Sequence, residues 1–285
     1  MSGEPAHEVS NGGPPPVMLP TFTPLAADRV GSGEPLLLLH GIGTTRADFG
    51  AIVPRLAEHY DVLAMDLPGH GESPALERRH TVAALAQAVA ADLEARGLDR
   101  VHVLGNSLGG RIALELARRG RARSVVAVAP SGMGSPPERL YQASAMVAAR
   151  LALSSIRPVL PALASRRAAR VALLAALRAR PWASTEEEAL ALRGGFADAR
   201  HFWDTLWWTV LADLPTGMSD VGCPVTLVQG GLDWIAPGQA ARYLATVRGA
   251  RFEPLLLAGH ASQGDSPAEI VRIVRATTAQ AAAGE

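Results

Sequence analysis

The 285-residue chain contains no lysine, so its Lys plus Arg total of 27 consists of arginines. A P-loop needs a lysine on the nucleotide phosphates and a Schiff base needs a lysine amine, so both chemistries are excluded, pyridoxal phosphate catalysis among them. Aspartate and glutamate also total 27, so the formal net charge is zero. This balance leaves no net field to hold nucleic acid or an anionic membrane, and it favours a small-molecule partner.

Cysteine is nearly absent as well, since Cys223 is the sole example. One cysteine forms no internal disulfide and no multi-cysteine metal site, and we interpret it as structural. The sequence has no uncharged apolar run of about 18 residues and no N-terminal pattern typical of a signal peptide. We therefore expect a cytoplasmic protein without a membrane span. Residues 1–16 are polar and glycine-rich and end in three prolines, which predicts a disordered tail.

Apolar residues make up 48% of the chain, enough for a large buried core. Short apolar runs bounded by turn residues alternate with helical patterns, and this alternation predicts βαβ units around a mostly parallel sheet. Functional groups then gather beyond the carboxyl ends of the strands. The predicted strands lie at residues 36–39, 62–65, 101–104, 124–129, 225–229 and 251–257, with weaker edge-strand patterns within 17–30 and helices near 48–60, 81–96, 239–248 and 267–279.

The alternation stops in the middle of the chain. Residues 135–193 contain no glycine and resemble several Ala/Leu/Arg helices broken at prolines. We interpret this as an α/β fold with an inserted helical lid. The core would comprise residues 17–130 and 221–285, and the lid residues 131–220.

The motif Gly105-Asn106-Ser107-Leu108-Gly109 follows the third of these apolar runs and leads into a helical pattern. A G-x-S-x-G sequence in this context predicts a nucleophile elbow, whose strained turn requires small residues two positions before and after the serine. Ser107 would project above the sheet beside a helix N-terminus, where negative charge is favoured. It is the candidate nucleophile.

A serine nucleophile needs a base and an acid that orients the base. His260 lies between the last predicted strand and the last helix, and Asp233 follows the penultimate strand, which gives the chain order Ser, Asp, His. Asp66 also ends a strand, but it precedes Ser107 in a Leu-Pro-Gly context typical of loop scaffolding. Asp265 is too close to His260 in sequence to pair with it, and we expect it to cap the final helix.

A tetrahedral intermediate needs two donors for its oxyanion. The backbone N–H of Leu108, directly after the nucleophile, supplies one. We expect the N–H of Ile42 to supply the other, because the glycines on either side allow its backbone to turn inward. The neighbouring His40 would brace this loop.

Aromatic residues cluster late in the predicted lid, and three tryptophans among them are candidate substrate contacts, together with Met133 and Trp234. Packing of the lid onto the core is the competing interpretation of each lid aromatic, and adjacent tryptophans cannot both face one way. The candidate substrate-binding residues are Met133, Trp203, Trp207, Trp208 and Trp234.

These motifs stand in an order that resembles the α/β-hydrolase fold, in the lid-bearing group of esterases, cofactor-free haloperoxidases and C–C bond hydrolases. The resemblance spans about residues 35–280 and implies a Ser107, Asp233 and His260 triad with no cofactor and no metal. A serine at the elbow disfavours the related dehalogenase and epoxide hydrolase branches, which use aspartate there. The segments of this chain that carry the resemblance are His40-Gly41, residues 66–73, residues 105–110, Gly230-x-x-Asp233 and Gly259-His260.

The resulting prediction is a serine hydrolase that cleaves an ester-type bond of a small, largely apolar substrate. Two alternatives stay open. Asn106 beside the nucleophile resembles C–C hydrolases of aromatic ring-cleavage products, although those usually have an aromatic residue where Ala261 follows the histidine. The second alternative is a ligand-binding protein built on the same fold. A dinucleotide site is disfavoured because Arg46 replaces the third glycine of the fingerprint.

Overall fold

Leucine- and valine-rich runs form the central strands of one sheet in the computed structural model, which describes residues 23–284. The disordered tail expected at residues 1–16 lies outside the described residues. The strands are β1 (Ala27–Gly31), β2 (Glu34–Leu39), β3 (Tyr60–Met65), β4 (Val101–Asn106), β5 (Ala122–Val128), β6 (Val225–Gly230) and β7 (Arg251–Leu255).

Across residues 23–284 the sheet has seven strands, in the order β1-β3-β2-β4-β5-β6-β7. Strand β1 runs antiparallel to β3, and every other pairing is parallel. The mostly parallel sheet predicted from the alternation is therefore confirmed. Because β2, β4, β6 and β7 point the same way, the loops after them meet at one edge of the sheet.

Helices cover both faces of the sheet, which is why its inner strands are apolar throughout. The helix predicted near 48–60 is instead a short 3-10 turn (Arg46–Phe49) and a single turn of α-helix, since Gly50 and Pro54 interrupt the pattern. The helices are α1 (Val53–Leu56), α2 (Val82–Ala95), α3 (Leu108–Arg118), α4 (Pro136–Ser155), α5 (Leu160–Ala164), α6 (Arg167–Leu174), α7 (Glu186–Leu192), α8 (Phe202–Leu206), α9 (Gln239–Tyr243), α10 (Ser262–Asp265) and α11 (Pro267–Gly284).

The chain between β5 and β6 is helical, as its composition predicts, and we call residues 136–220 the helical insertion. Helix α4 starts with a capping box in which Glu138 bonds Ser135, and it ends before Pro158. Two of the later segments are π-helical, and short 3-10 turns connect others. These segments are Pro181–Ala183 and Met218–Asp220 (3-10), and Arg193–Ala197 and Trp207–Ala212 (π).

Polar contacts fasten the helical insertion to the core. Arg111, at the start of α3, is buried and donates to the Thr209 carbonyl at 2.8 Å. On another side, the His80 backbone N–H donates to Asp204 at 2.7 Å. The insertion therefore lies over the carboxyl edge of the sheet, next to the elbow and the loops that follow β6 and β7.

Candidate active site

Ser107 occupies a strained turn between β4 and α3, with φ 54° and ψ −113°. A positive φ is unfavourable for a residue that carries a Cβ, and such strain clusters at functional sites. The turn is tight enough to require glycine on both sides. A Cβ on Gly105 would lie 2.2 Å from the Gly109 carbonyl oxygen, and one on Gly109 would lie 2.0 Å from the Leu39 carbonyl oxygen.

His260 and Asp233 form a buried pair at the same edge of the sheet. The imidazole Nδ1 lies 3.0 and 3.1 Å from the two carboxylate oxygens of Asp233. Asp233 also accepts backbone N–H bonds from Ile235 and Ala236, each at 2.9 Å, and a side-chain bond from Gln229 at 2.8 Å. Since a carboxylate only accepts, the proton of a neutral His260 belongs on Nδ1 and Nε2 is left as the basic nitrogen.

The pair also sets the ionisation of both groups. Burial of the imidazole lowers its pKa, but the charge and hydrogen bond of Asp233, helped by the charge of Asp48, outweigh burial and raise the pKa of His260 above its usual value. Burial raises the pKa of Asp233, whereas the charge and bond of His260 and its backbone donors hold it below the usual range. Each group therefore stabilises the charged form of the other, which makes His260 a stronger base.

Ser107 and His260 line one cavity of about 130 Å³, together with Ile42 and Asn106. The Asn106 side chain donates to the His260 carbonyl at 2.9 Å, which fastens the histidine loop to the nucleophile strand. The rest of the wall is almost entirely apolar and comes mainly from the helical insertion. Its insertion residues are Ala145, Met146, Ala149, Leu153, Leu173, Ala176, Leu177, Leu192 and Phe196.

The loop after β2 is braced by His40, as the sequence suggests. The Leu67 N–H donates to Nε2 of the buried imidazole at 2.9 Å, so Nδ1 carries the proton and donates to the Gly41 carbonyl at 2.8 Å. Burial lowers the pKa of His40, consistent with a neutral ring. Ile42 and Leu108 border a second cavity beside Ser107 of about 10 Å³, which is roughly the room that one oxygen atom needs.

None of the five candidate substrate contacts predicted from the sequence lines this cavity. Trp203, Trp207 and Trp234 are 52%, 55% and 70% exposed. Trp208 packs beneath Arg79, whose guanidinium carbon lies 5.0 Å from the ring centroid. Met133 packs against the core, with its backbone bonded to Gln239 and Arg242.

Asp48 lines the same cavity, and the sequence did not single it out. Asp48 follows β2 in the same loop as Ile42. Its position in that loop is the sequence feature from which a place near the site could have been predicted. The carboxylate accepts a hydrogen bond from Gln263 at 2.6 Å and one from Arg178 at 3.2 Å. Arg178 in turn pairs with Glu188 at 3.0 Å, so this buried guanidinium is shared between two acids.

Two other acids considered from the sequence have structural partners. Asp66 is buried and bonds the side chain and backbone of Arg46, in keeping with loop scaffolding. Asp265 does not cap α11 as expected. Its carboxylate accepts backbone N–H bonds from Gly259, in the histidine loop, and from Ala179, in the helical insertion.

Within residues 23–284, no three His, Cys, Asp or Glu side chains are grouped so as to hold a metal ion. Over the same residues, no helix is long and apolar enough to cross a membrane.

The sequence model of the alpha/beta hydrolase family matches residues 36–273. An acetoin-cleaving-system dihydrolipoyllysine-residue acetyltransferase component from Cupriavidus necator is 37% identical over 110 residues, 38% of this chain and 29% of its own length. The pimeloyl-(acyl-carrier protein) methyl ester esterase of Aeromonas hydrophila is 43% identical over 110 residues, 38% of this chain and 42% of its own length. The chain thus matches less than half the length of each of these curated relatives.

A solved structure of a hydrolase from Pseudomonas aeruginosa has the same fold over nearly all of both chains. The TM-score is 0.69 with 25% sequence identity, and the match covers 89% of this chain and 93% of that one. The family match extends from within β2 into α11 and so includes strands β2 to β7 and the helical insertion. The chain therefore belongs to the alpha/beta hydrolase family.

Proposed function

We propose that this protein is a serine hydrolase that cleaves an ester-type bond of a small, largely apolar substrate. The observation that carries the proposal is the buried Asp233–His260 pair, whose histidine lines the same cavity as the strained Ser107. The Aeromonas hydrophila relative, whose name describes a methyl ester esterase, supports the same bond class.

In the proposed reaction Ser107 Oγ attacks the ester carbonyl carbon while His260 Nε2 takes the hydroxyl proton. The carbonyl oxygen becomes an oxyanion, which the N–H groups of Leu108 and Ile42 stabilise. Leu108 is the first residue of α3, so its N–H lacks a partner within the helix. The C–O bond to the leaving group then breaks, His260 returns its proton to the departing alkoxide, and an acyl-serine forms.

Water completes the cycle by the same steps. His260 takes a proton from a water molecule, whose oxygen attacks the acyl carbon. The second tetrahedral intermediate collapses, the proton passes to Ser107 Oγ, and a carboxylic acid leaves. Asp233 stays ionised throughout and stabilises the imidazolium that forms twice in each turnover.

The cavity supports a short acyl group. Its volume of about 130 Å³ is close to the roughly 150 Å³ cavity that holds a benzene ring in other proteins, which corresponds to an acyl chain of about six carbons or fewer. The apolar wall from the helical insertion would act as the roof, so we assign the insertion the role of a lid. The lid boundaries of 131–220 predicted from the sequence are part of this proposal.

Ester hydrolysis is favoured over C–C hydrolysis by the charge around the cavity. A ring-cleavage dienoate carries a carboxylate, and the acid Asp48 already lines this wall. The Arg178 guanidinium reaches this wall, but it is shared between Asp48 and Glu188. A substrate carboxylate at this wall would therefore meet the negative charge of Asp48, with Arg178 already committed to two acids.

A fluorophosphonate probe tests the nucleophile. We expect it to label wild-type protein and to leave Ser107→Ala unlabelled, since the probe reacts with an activated serine. Ser165→Ala is the control, because Ser165 is exposed on the helical insertion, bonds the Ala162 carbonyl and lines neither cavity, so its replacement should not change labelling. Turnover of p-nitrophenyl butyrate that survives in Ser107→Ala would overturn the mechanism.

A panel of substrates, tested on the wild-type protein, discriminates among the three functions. A serine esterase should turn over p-nitrophenyl acetate and butyrate much faster than a ring-cleavage dienoate or p-nitrophenyl laurate. Faster turnover of the dienoate would favour C–C hydrolysis. Tight ligand binding with negligible turnover of every substrate would identify a binding protein.

A further inference from the structure

A segment of the helical insertion is bonded directly to the loop that carries His260. The Ala261 N–H donates to the Leu177 carbonyl at 2.9 Å. The two backbones lie so close that a Cβ on Gly259 would be 2.9 Å from both the Ala179 nitrogen and the Leu177 oxygen. The residues on either side of His260 therefore pack against residues 177–179 without intervening side chains.

One buried carboxylate holds this junction together. Asp265 is 3% exposed and accepts N–H bonds from Gly259 at 2.7 Å, Ala179 at 2.8 Å and Arg180 at 2.9 Å. The first donor belongs to the histidine loop and the other two to the insertion. Hydrogen bonds to an ionised acceptor are about twice as strong as neutral ones, so Asp265 joins the two segments more firmly than an amide would.

The same insertion segment forms part of the cavity wall. Ala176 and Leu177 both line the cavity, and Arg178 bonds Asp48 at its polar end. Gln263, two residues before Asp265, also bonds Asp48. The base and this part of the acyl wall are thus connected through Asp265 and a neighbouring polar network.

We propose, building on the serine-hydrolase function above, that Asp265 is a positioning residue that fixes His260 and the Leu177 wall relative to each other. It touches neither substrate nor reacting atoms. By holding Gly259 and Ala179 on one carboxylate, it makes the base and the pocket wall move as a unit. Turnover and acyl-chain selectivity consequently depend on the same side chain.

The test is Asp265→Asn in the full-length protein. The amide has nearly the same shape, but its NH2 group must face one of the backbone donors, which breaks at least one bond and misplaces both segments. A misplacement of about 1 Å costs on the order of 10²-fold in rate, and we expect a loss of that order in kcat/KM for p-nitrophenyl butyrate. The butyrate-to-acetate ratio of kcat/KM should also change, by about threefold or more.

Asp92→Asn is the matched control. Asp92 is likewise a buried carboxylate that accepts a backbone N–H, from Leu25 at 2.9 Å, and it lies on α2 with no part in the cavity. Its replacement should lower stability without altering the acyl ratio, because a ratio measured on one preparation does not depend on the fraction folded. An Asp265→Asn protein with the wild-type acyl ratio would overturn the proposal.

Hydrogen exchange of the wild-type protein provides a second test, which depends neither on enzyme activity nor on the folding of a variant. If Asp265 joins the two segments, the amides of Gly259, Ala179 and Arg180 should become exposed in one opening event, with the same dependence on denaturant. Separate opening of the two segments would contradict the proposal. Failure of the probe to label wild-type Ser107 would instead refute the serine-hydrolase function, while leaving this exchange result interpretable.

Discussion

The two halves of the candidate site are built by different kinds of interaction. In the sheet half, Ser107, Asp233 and His260 follow β4, β6 and β7, and directional bonds and close backbone approaches set their positions. In the insertion half, side chains such as Met146 and Phe196 line the cavity through apolar contact. Directional geometry tolerates few residue types, whereas many combinations of similar volume can fill an apolar wall.

Asp233→Asn removes the central bond of the sheet half and should have the largest effect. Asparagine can donate to Nδ1 and so favour the wrong imidazole tautomer, which costs about 10⁴-fold in kcat in a triad of this kind. The rate of p-nitrophenyl butyrate hydrolysis, with circular dichroism to verify folding, measures the loss.

Asp66→Asn is the control for Asp233→Asn, because Asp66 is the other strand-end acid, bonds Arg46, and lies 4.0 Å from Nε2 of His40 rather than beside His260. Turnover per probe-labelled serine should be retained in Asp66→Asn. A greater loss there than in Asp233→Asn would move the orienting acid to Asp66.

Acid should inactivate the sheet half by protonating its base. The pKa of His260 is raised, and the unprotonated imidazole is the reactive form, so kcat/KM should fall about tenfold per pH unit below that pKa and level off above it. The ordinary histidine value is about 6.5, so the midpoint should lie above it. A pH profile of kcat/KM with a non-ionising ester measures this midpoint.

The same profile on Asp233→Asn tests the cause of the raised pKa. Without the carboxylate, burial remains and the midpoint should shift to lower pH. A wild-type midpoint below about 6.5 would mean that burial dominates over the ion pair, contrary to the expected sign.

The contrast between the halves also explains what the sequence could predict. The strand order along the chain and the G-x-S-x-G turn indicated Ser107 as the candidate nucleophile, and the loops after the last two strands indicated Asp233 and His260 as its candidate partners, because each position follows from topology. Asp265 was misinterpreted because local spacing indicates a helix cap, whereas its partner Ala179 is 86 residues away. Local patterns carry no information about such a contact.

The pocket wall was not predictable for a related reason. Aromatic density pointed to Trp203 and Trp207, but both are more than half exposed. Helical spacing shows that residues share a face and not which way the face points. In addition, Trp207 begins a π-helical segment, where the wider turn shifts the face that a 3.6-residue period would predict.

The smallest expected effects come from the insertion half, and a matched pair of aromatic residues tests them. Phe196 is buried and lines the cavity, whereas Trp207 is exposed on the same insertion. Phe196→Leu should enlarge the pocket and raise the hexanoate-to-butyrate ratio of kcat/KM by roughly tenfold, the effect of about one methylene in an apolar pocket.

Trp207→Leu should change that ratio by less than about twofold, as expected for a surface substitution. Both ratios are measured with p-nitrophenyl esters on probe-titrated enzyme. If Trp207→Leu changed the ratio more than Phe196→Leu, the acyl group would bind outside the cavity beside Ser107. We expect Phe196→Leu to change the ratio more than Trp207→Leu, because a side chain in solvent cannot limit the length of a buried acyl chain.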